Sequence, residues 1–272
     1  MLVEGVAALH LAVPIVATGG LLGTSALWSM AVDPALIVAL GSGAWAAYLA
    51  ERLVAPPEDS INDRRRSEWM TRYRRVVWML GVALAVVAMG AALWVSVGVL
   101  LGGVGIGAIG LAYALPGRWR IKRFGRAKPF LIGFVWSAAV VGLPMIEWEQ
   151  IPDGTAALML GRMLFYAANA MALDWPDRAG DAAAGVPTWA VRLSASTLRR
   201  FILVLAGGAA IASGAAGWIA GQSTLGVVDA GGALVLIVLI ARRLPVHRYD
   251  SVVLDVLVAW PGVTWIAWHW LA

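Results

Sequence analysis

The stretch Asn169–Leu193, NAMALDWPDRAGDAAAGVPTWAVRL, decides how the rest of the chain is read. A long apolar run ends here in three aspartates, Asp174, Asp177 and Asp181. In an unbroken helix, offsets of three and seven residues would bring all three to one face. Pro176 opens a second arrangement, a break, because it has no N–H to donate to the preceding turn and biases Trp175 away from helical dihedrals. Asp174 would then close one helix, and Asp177 and Asp181 would open the next. Either way, hard oxygen ligands converge at the end of a membrane-length segment. Such a set suits Mg²⁺, which binds through one or two carboxylates together with substrate phosphates and retains water.

The surrounding composition is that of a membrane protein. Of 272 residues, 61% are hydrophobic and 14% charged, a profile foreign to soluble domains. Cysteine is absent, which excludes disulfides and thiolate metal sites. The first twenty residues lack the basic leader of a signal peptide and read as a retained membrane segment. A formal net charge of +5 would admit nucleic acid as a partner, but the basic residues fall between apolar runs, where they act as topology signals. No nucleic-acid partner is expected.

Nine apolar runs are long enough, or nearly so, to cross about 30 Å of hydrocarbon. They cover approximately 6–27, 35–54, 74–94, 97–116, 130–147, 154–173, 199–220, 224–241 and 251–271. The first is the weakest, interrupted by Pro14, Gly19 and Gly20. Arginine and lysine crowd the connections after runs two, four, six and eight, whereas the alternate connections hold none and carry Asp33, Glu147, Glu149 and Asp153. By the positive-inside rule the even-numbered runs end in the cytoplasm, the N-terminus is cytoplasmic and the C-terminus lies outside. The expected location is the bacterial inner membrane, with a single transmembrane domain over residues 1–272. Acidic stations after runs two and six, and basic ones after four and eight, have the spacing of a parallel internal duplication.

The first acidic station reads AYLAERLVAPPEDSINDRRR, with Tyr48, Glu51, Arg52, Glu58 and Asp59 as its polar candidates. A carboxylate as close to hydrocarbon as Glu51 is costly and is more often functional than incidental. The basic station, LAYALPGRWRIKRFGRAKPF, offers Tyr113, Arg118, Lys122 and Lys128. Positive-inside topology by itself accounts for cations there. Arg162 lies inside the sixth run, about 18 Å along a helix from Asp174, and needs a buried partner.

Asn169, Asp174, Asp177, Asp181, Gly185 and Thr188 together resemble the second aspartate-rich motif of the UbiA-type intramembrane prenyltransferases. The first motif of that superfamily is degenerate here. Aligning Glu51-Arg52 with its Asp-Arg pair places Ala47 and Ala55 where Asn and Asp are usual, while Tyr48-Leu-Ala-Glu51-Arg52 is similar to a variant of it. Tyr113 with Arg118, and Lys128-Pro-Phe-Leu-Ile-Gly-Phe-Val-Trp136, resemble its fourth and fifth helices.

The resemblance implies an all-helical bundle around a central cavity. It also implies Mg²⁺-dependent transfer of a prenyl group from a polyprenyl diphosphate to a lipophilic, aromatic acceptor in the membrane. On that reading Glu51, Asp59, Asp174, Asp177 and Asp181 hold the metal, and Arg52, Arg118, Lys122, Lys128 and Arg178 meet the diphosphate. Glu51, Asp174, Asp177 and Tyr113 are the catalytic candidates, and Tyr48 and Asn169 are supporting polar residues. A UbiA-type terpene cyclase, or a transporter or assembly protein on a retired scaffold, are the alternatives.

Overall fold

The computed structural model describes residues 11–53, 64–114, 125–243 and 248–271, and every regular element in them is helical. In chain order these are α1 (Ala12–Trp28), α2 (Pro34–Leu53), α3 (Arg64–Arg72), α4 (Arg74–Val95), α5 (Val97–Ala114), α6 (Lys128–Glu147) and α7 (Thr155–Leu173). Two short helices follow, α8 (Arg178–Ala183) and α9 (Trp189–Arg192), then α10 (Ala195–Ile219), α11 (Ser223–Arg243), α12 (Arg248–Leu257) and α13 (Pro261–Leu271).

Local chemistry sets many of the ends. Pro14 falls in the first turn of α1, where a missing N–H costs no helical bond, so the helix runs through it. Asp33 precedes Pro34 and accepts the Ala35 N–H at 2.7 Å, the geometry of an N-cap. In α6 a wide π-turn at Ala138–Gly142 stands just before Pro144, whose ring and missing N–H disturb the turn ahead of it. Ser194 caps α10 by accepting the Thr197 N–H at 3.3 Å.

The longer helices form a ring. α1, α2, α4, α5, α6, α7, α10, α11 and α13 each pack on the next, and α13 packs on α1. At the arginine-free end the connections are tied to one another. Trp28 Nε1–H donates to the Asp153 carbonyl (3.0 Å), Trp148 Nε1–H to the Ala31 carbonyl (2.8 Å), and the Asp33 N–H to Glu147 Oε1 (2.6 Å). Outward faces are apolar. Trp94 is 82% exposed, Trp218 76% and Ile211 76%, and such side chains belong against lipid rather than water.

The expected nine spans are not all present as single crossing helices. Among the described residues six helices have the length and hydropathy to cross a membrane, while α1 and residues 97–112 of α5 are apolar but shorter. The ninth run divides into α12 and α13 at a turn over Val258–Trp260, ahead of Pro261. There Trp260 Nε1–H donates to the Val228 carbonyl at 2.8 Å, which anchors the turn to α11.

Candidate active site

A cavity of about 880 Å³ lies within the ring. Towards the arginine-free end, around Leu36 and Leu143, its walls are almost wholly apolar. At the other end it is lined by Tyr48, Glu51 and Arg52 from α2, Lys128 from α6, and Asp174, Asp177 and Asp181. Glu51 to Leu36 spans fifteen residues of α2, or about 22 Å of helix. The chamber therefore runs through most of the ~30 Å of hydrocarbon.

The three aspartates are placed by a break. The Asp174 N–H still bonds to Ala170 (3.0 Å), so this residue caps the C-terminus of α7. The chain turns through Trp175 and Pro176, and Asp177 stands immediately before α8. Asp181 follows one turn later, its N–H bonded to the Asp177 carbonyl at 3.0 Å. α8 ends at Gly185, whose φ of +69° is left-handed and open chiefly to glycine, and the Val186 N–H returns to the Asp181 carbonyl at 2.8 Å.

The segment after α8 then forms a seat for the start of α6. A Cβ on Gly125 would lie 2.5 Å from the Pro187 carbonyl oxygen, so only glycine permits this approach. Trp189 Nε1–H donates to the Arg126 carbonyl at 2.8 Å. Held this way, Lys128 opens α6 beside the end of α7, and its ammonium forms an ion pair with Asp174 Oδ1. Both residues stand at the electrostatically wrong end of their helices. A lysine at an N-terminus and an aspartate at a C-terminus each oppose the helix dipole, typically by about 0.3–1 kcal/mol at exposed sites.

Two buried oxygens at this mouth accept no hydrogen bond from the described residues, Asp174 Oδ2 and Asn169 Oδ1. Asn169 and Asp174 are each only 3% exposed, and both line the cavity. Buried acceptors left without donors are rare in folded proteins and call for a partner. No group of three carboxylates or histidines among the described residues is drawn together tightly enough to cage a metal. Hard oxygens spaced around a mouth nevertheless fit Mg²⁺, which binds through one or two carboxylates and takes its other oxygens from phosphate and water.

The remaining candidates are distributed unevenly. Glu51 is half-buried in the last turn of α2, and the Arg52 guanidinium lies 5.0 Å from the centre of the Tyr48 ring. Arg178 is exposed and does not line the cavity; its guanidinium stacks 5.1 Å from the Trp175 ring. Glu58, Asp59, Arg118 and Lys122 lie outside the described residues, as do the surroundings of the Tyr113 side chain in the last turn of α5.

Asp229, Thr264 and Asp255 were not assigned from the sequence. Arg162 is paired with Asp229 of α11 through two hydrogen bonds of 2.7 Å, and Thr264 of α13 donates to Asp229 Oδ1 at 3.1 Å. Asp229 lies inside an apolar run, and the one signal in the sequence is a lone anion in run eight to match the lone cation in run six. Asp255 of α12 adds a further carboxylate to the cavity wall. It too lay inside an apolar run, where any charge is a flag. The third run, which carries none of the candidate site residues, also lines the cavity through α4, including Trp78, Gly81 and Met89.

The chain belongs to the UbiA prenyltransferase family, which matches residues 12–260. Its architecture is similar to that of a UbiA homologue from Aeropyrum pernix K1, with a TM-score of 0.71 at 18% identity over 95% of this chain and 96% of that one. A UbiA homologue from Archaeoglobus fulgidus, solved with GPP and Mg²⁺, gives 0.69 at 15% identity over 96% and 99%. A digeranylgeranylglyceryl phosphate synthase gives 0.61 at 16% identity over 95% and 98%. No curated protein sequence matches the chain significantly.

Proposed function

We propose that this protein is a Mg²⁺-dependent intramembrane prenyltransferase of the bacterial inner membrane, a single domain that moves a prenyl group from a polyprenyl diphosphate to a lipophilic, aromatic acceptor. The observation that carries this reading is one chamber with two chemistries. Carboxylates and cations line its cytoplasmic mouth, and the rest of a chamber about 22 Å deep beneath them is apolar. That is the shape of a molecule with a highly charged head and a long hydrocarbon tail. A homologue with the same fold was solved with such a donor and with Mg²⁺.

On this reading Asp174, Asp177 and Asp181 hold the metal on one side of the mouth, and Glu51 and Asp59 on the other. Bound there, Mg²⁺ supplies positive charge that stabilises the diphosphate as its bond to carbon breaks. Lys128, Arg52, Arg118 and Lys122 bind the same leaving group, and Tyr48, Tyr113 and Asn169 complete the polar rim. The apolar walls exclude water, which would otherwise quench the allylic cation before the acceptor attacks it.

Calorimetry with geranyl diphosphate and Mg²⁺ tests the assignment. Wild type should bind the donor only with the metal present, and Asp177→Ala should lose this binding while keeping its helical circular dichroism. Unchanged affinity in the variant would remove the aspartates from the site. Labelled donors of several lengths, supplied with membrane lipid extract, should yield a prenylated lipid. Cyclised hydrocarbon alone would indicate a cyclase, and binding without any product a non-catalytic scaffold.

A further inference from the structure

We infer that the elbow between α3 and α4 binds an anionic phospholipid, its headgroup on Arg72, Arg74 and Arg75 and an acyl chain along the open edge of the chamber. The inference is independent of the reaction proposed above. Six arginines stand between residues 64 and 75, at the start of the α4 span, with Glu68 the one acid among them. Basic clusters of this size at the end of a span attract anionic headgroups. Arg72, Arg74 and Arg75 are exposed, and none of the three forms an ion pair among the described residues.

The elbow holds these cations in place. Met70 of α3 is buried with Leu49 of α2 and Val77 of α4, and the Trp69 and Tyr73 rings stand 4.8 Å apart. The chain turns at Tyr73, outside helical dihedrals, and enters α4. The Arg72 guanidinium lies 5.6 Å from the centre of the Tyr73 ring, and Arg74 and Arg75 open the first turn of α4. Directly below, Val76 and Met79 are exposed, which sets the arginines at the boundary between headgroups and hydrocarbon.

The same helix carries an edge of the chamber. From Arg75, offsets of three, seven and fourteen residues reach Trp78, Val82 and Met89 on one face of α4. These side chains line the chamber and yet are 60%, 43% and 52% exposed. Val104 and Leu111 of α5 also line it and are exposed. Elsewhere in the ring glycines bring helices into contact. A Cβ on Gly133 would lie 2.2 Å from the Met163 carbonyl oxygen, and one on Gly217 2.4 Å from Gly226 Cα. On α5 a Cβ on Gly103 or Gly107 would meet nothing within 4 Å, though both glycines line the chamber. α4 and α5 close on each other beside their shared turn, where Ala92 and Val99 are buried, and the wall between them is open towards the mouth. From Arg75 to Met89 is about 21 Å of helix, longer than the ~15 Å that one leaflet provides. A chain hanging from a headgroup at the elbow therefore runs along this edge for the depth of its leaflet. A phosphate without a tail would meet the arginines and leave the edge bare, and a neutral lipid would do the reverse. An anionic phospholipid meets both.

Native mass spectrometry of the protein in detergent, offered equal phosphatidylglycerol and phosphatidylcholine, reads the headgroup. Wild type should retain phosphatidylglycerol preferentially. Arg74→Gln with Arg75→Gln should weaken that retention by about fivefold for each arginine removed. Arg200→Gln with Arg242→Gln, which removes the same charge from exposed positions on α10 and α11, should leave it unchanged. Equal loss in both pairs would reduce the effect to net charge and overturn the site, as would displacement of the lipid by inorganic phosphate. Raised salt reads the same contact in wild type, whatever the folding of the variants. Phosphatidylglycerol retention should fall and phosphatidylcholine retention should not; a preference that ignores salt would overturn the cationic headgroup site. Phosphatidylglycerol with a photoreactive diazirine on its acyl chain reads the edge. Crosslinks should fall on residues 78–89 of α4 and be lost in Arg74→Gln with Arg75→Gln. Crosslinks spread evenly over the lipid-facing helices, or unchanged in that variant, would sink the assignment of the chain to this edge.

Discussion

Arg162 and Asp229 are 2% and 1% exposed at their side chains, and their bidentate contact crosses from α7 to α11. Thr264 extends it to α13, so one ion pair joins three neighbours in the ring. Such a pair adds little net stability over well-packed apolar residues, but removing one partner strands a charge at the cost of about 3–5 kcal/mol. Asp229→Leu should therefore lower the thermal unfolding temperature in detergent sharply. The double replacement Arg162→Met with Asp229→Leu should recover most of the loss, because no charge is then stranded. A double variant as unstable as the single one would mean that the three side chains do more than neutralise each other.

At the scale of elements, the mouth depends on one contact between connections. The segment 125–127 rests on 187–189 through the Gly125 approach to Pro187 and the Trp189–Arg126 hydrogen bond. This contact sets the height of α6 against the end of α7, and hence the reach of Lys128 to Asp174. Gly125→Val places carbon where the Pro187 carbonyl oxygen already stands, and backbone cannot step aside as a flexible side chain would. The expected result is a loss of about tenfold in Mg²⁺-dependent geranyl diphosphate affinity. Helix content by circular dichroism should be unaltered, because the contact lies outside the ring. Unaltered donor affinity would show that the seat does not govern the mouth.

For the whole molecule the decisive asymmetry is between its two ends. The connections carrying Asp33, Glu147 and Asp153 are tied together at one end, and Gly98 at the start of α5 lies close against Ile146 there as well. The cavity mouth with Lys128 and the aspartates is at the other. On the positive-inside reading proposed above, the mouth faces the cytoplasm. Reporter fusions at Val97 and at Gly125 should therefore give signals from opposite sides of the membrane, Gly125 cytoplasmic. Equal signals would overturn the orientation and with it the side from which the donor enters.

By itself the sequence determined the class of solvent, the helical architecture and that three aspartates close one membrane-length run. These follow from local or cumulative properties: apolar runs of membrane length, and Pro176 between two aspartates. Of the two arrangements Pro176 left open, the break is the one present, with Asp174 ending α7 and Asp177 standing just before α8. Counting spans was less secure, because the ninth run contains its own stop at Pro261 and hydropathy does not register a turn. Only the tertiary structure decided which charges meet. Arg162 and Asp229 are 67 residues apart, and Lys128 and Asp174 46, so no periodicity links them. Asp255 faces the cavity for the same reason, from the ring's far side in sequence. In a bilayer every charge inside a helix must find a partner or an aqueous opening, and the order of helices around the ring selects it.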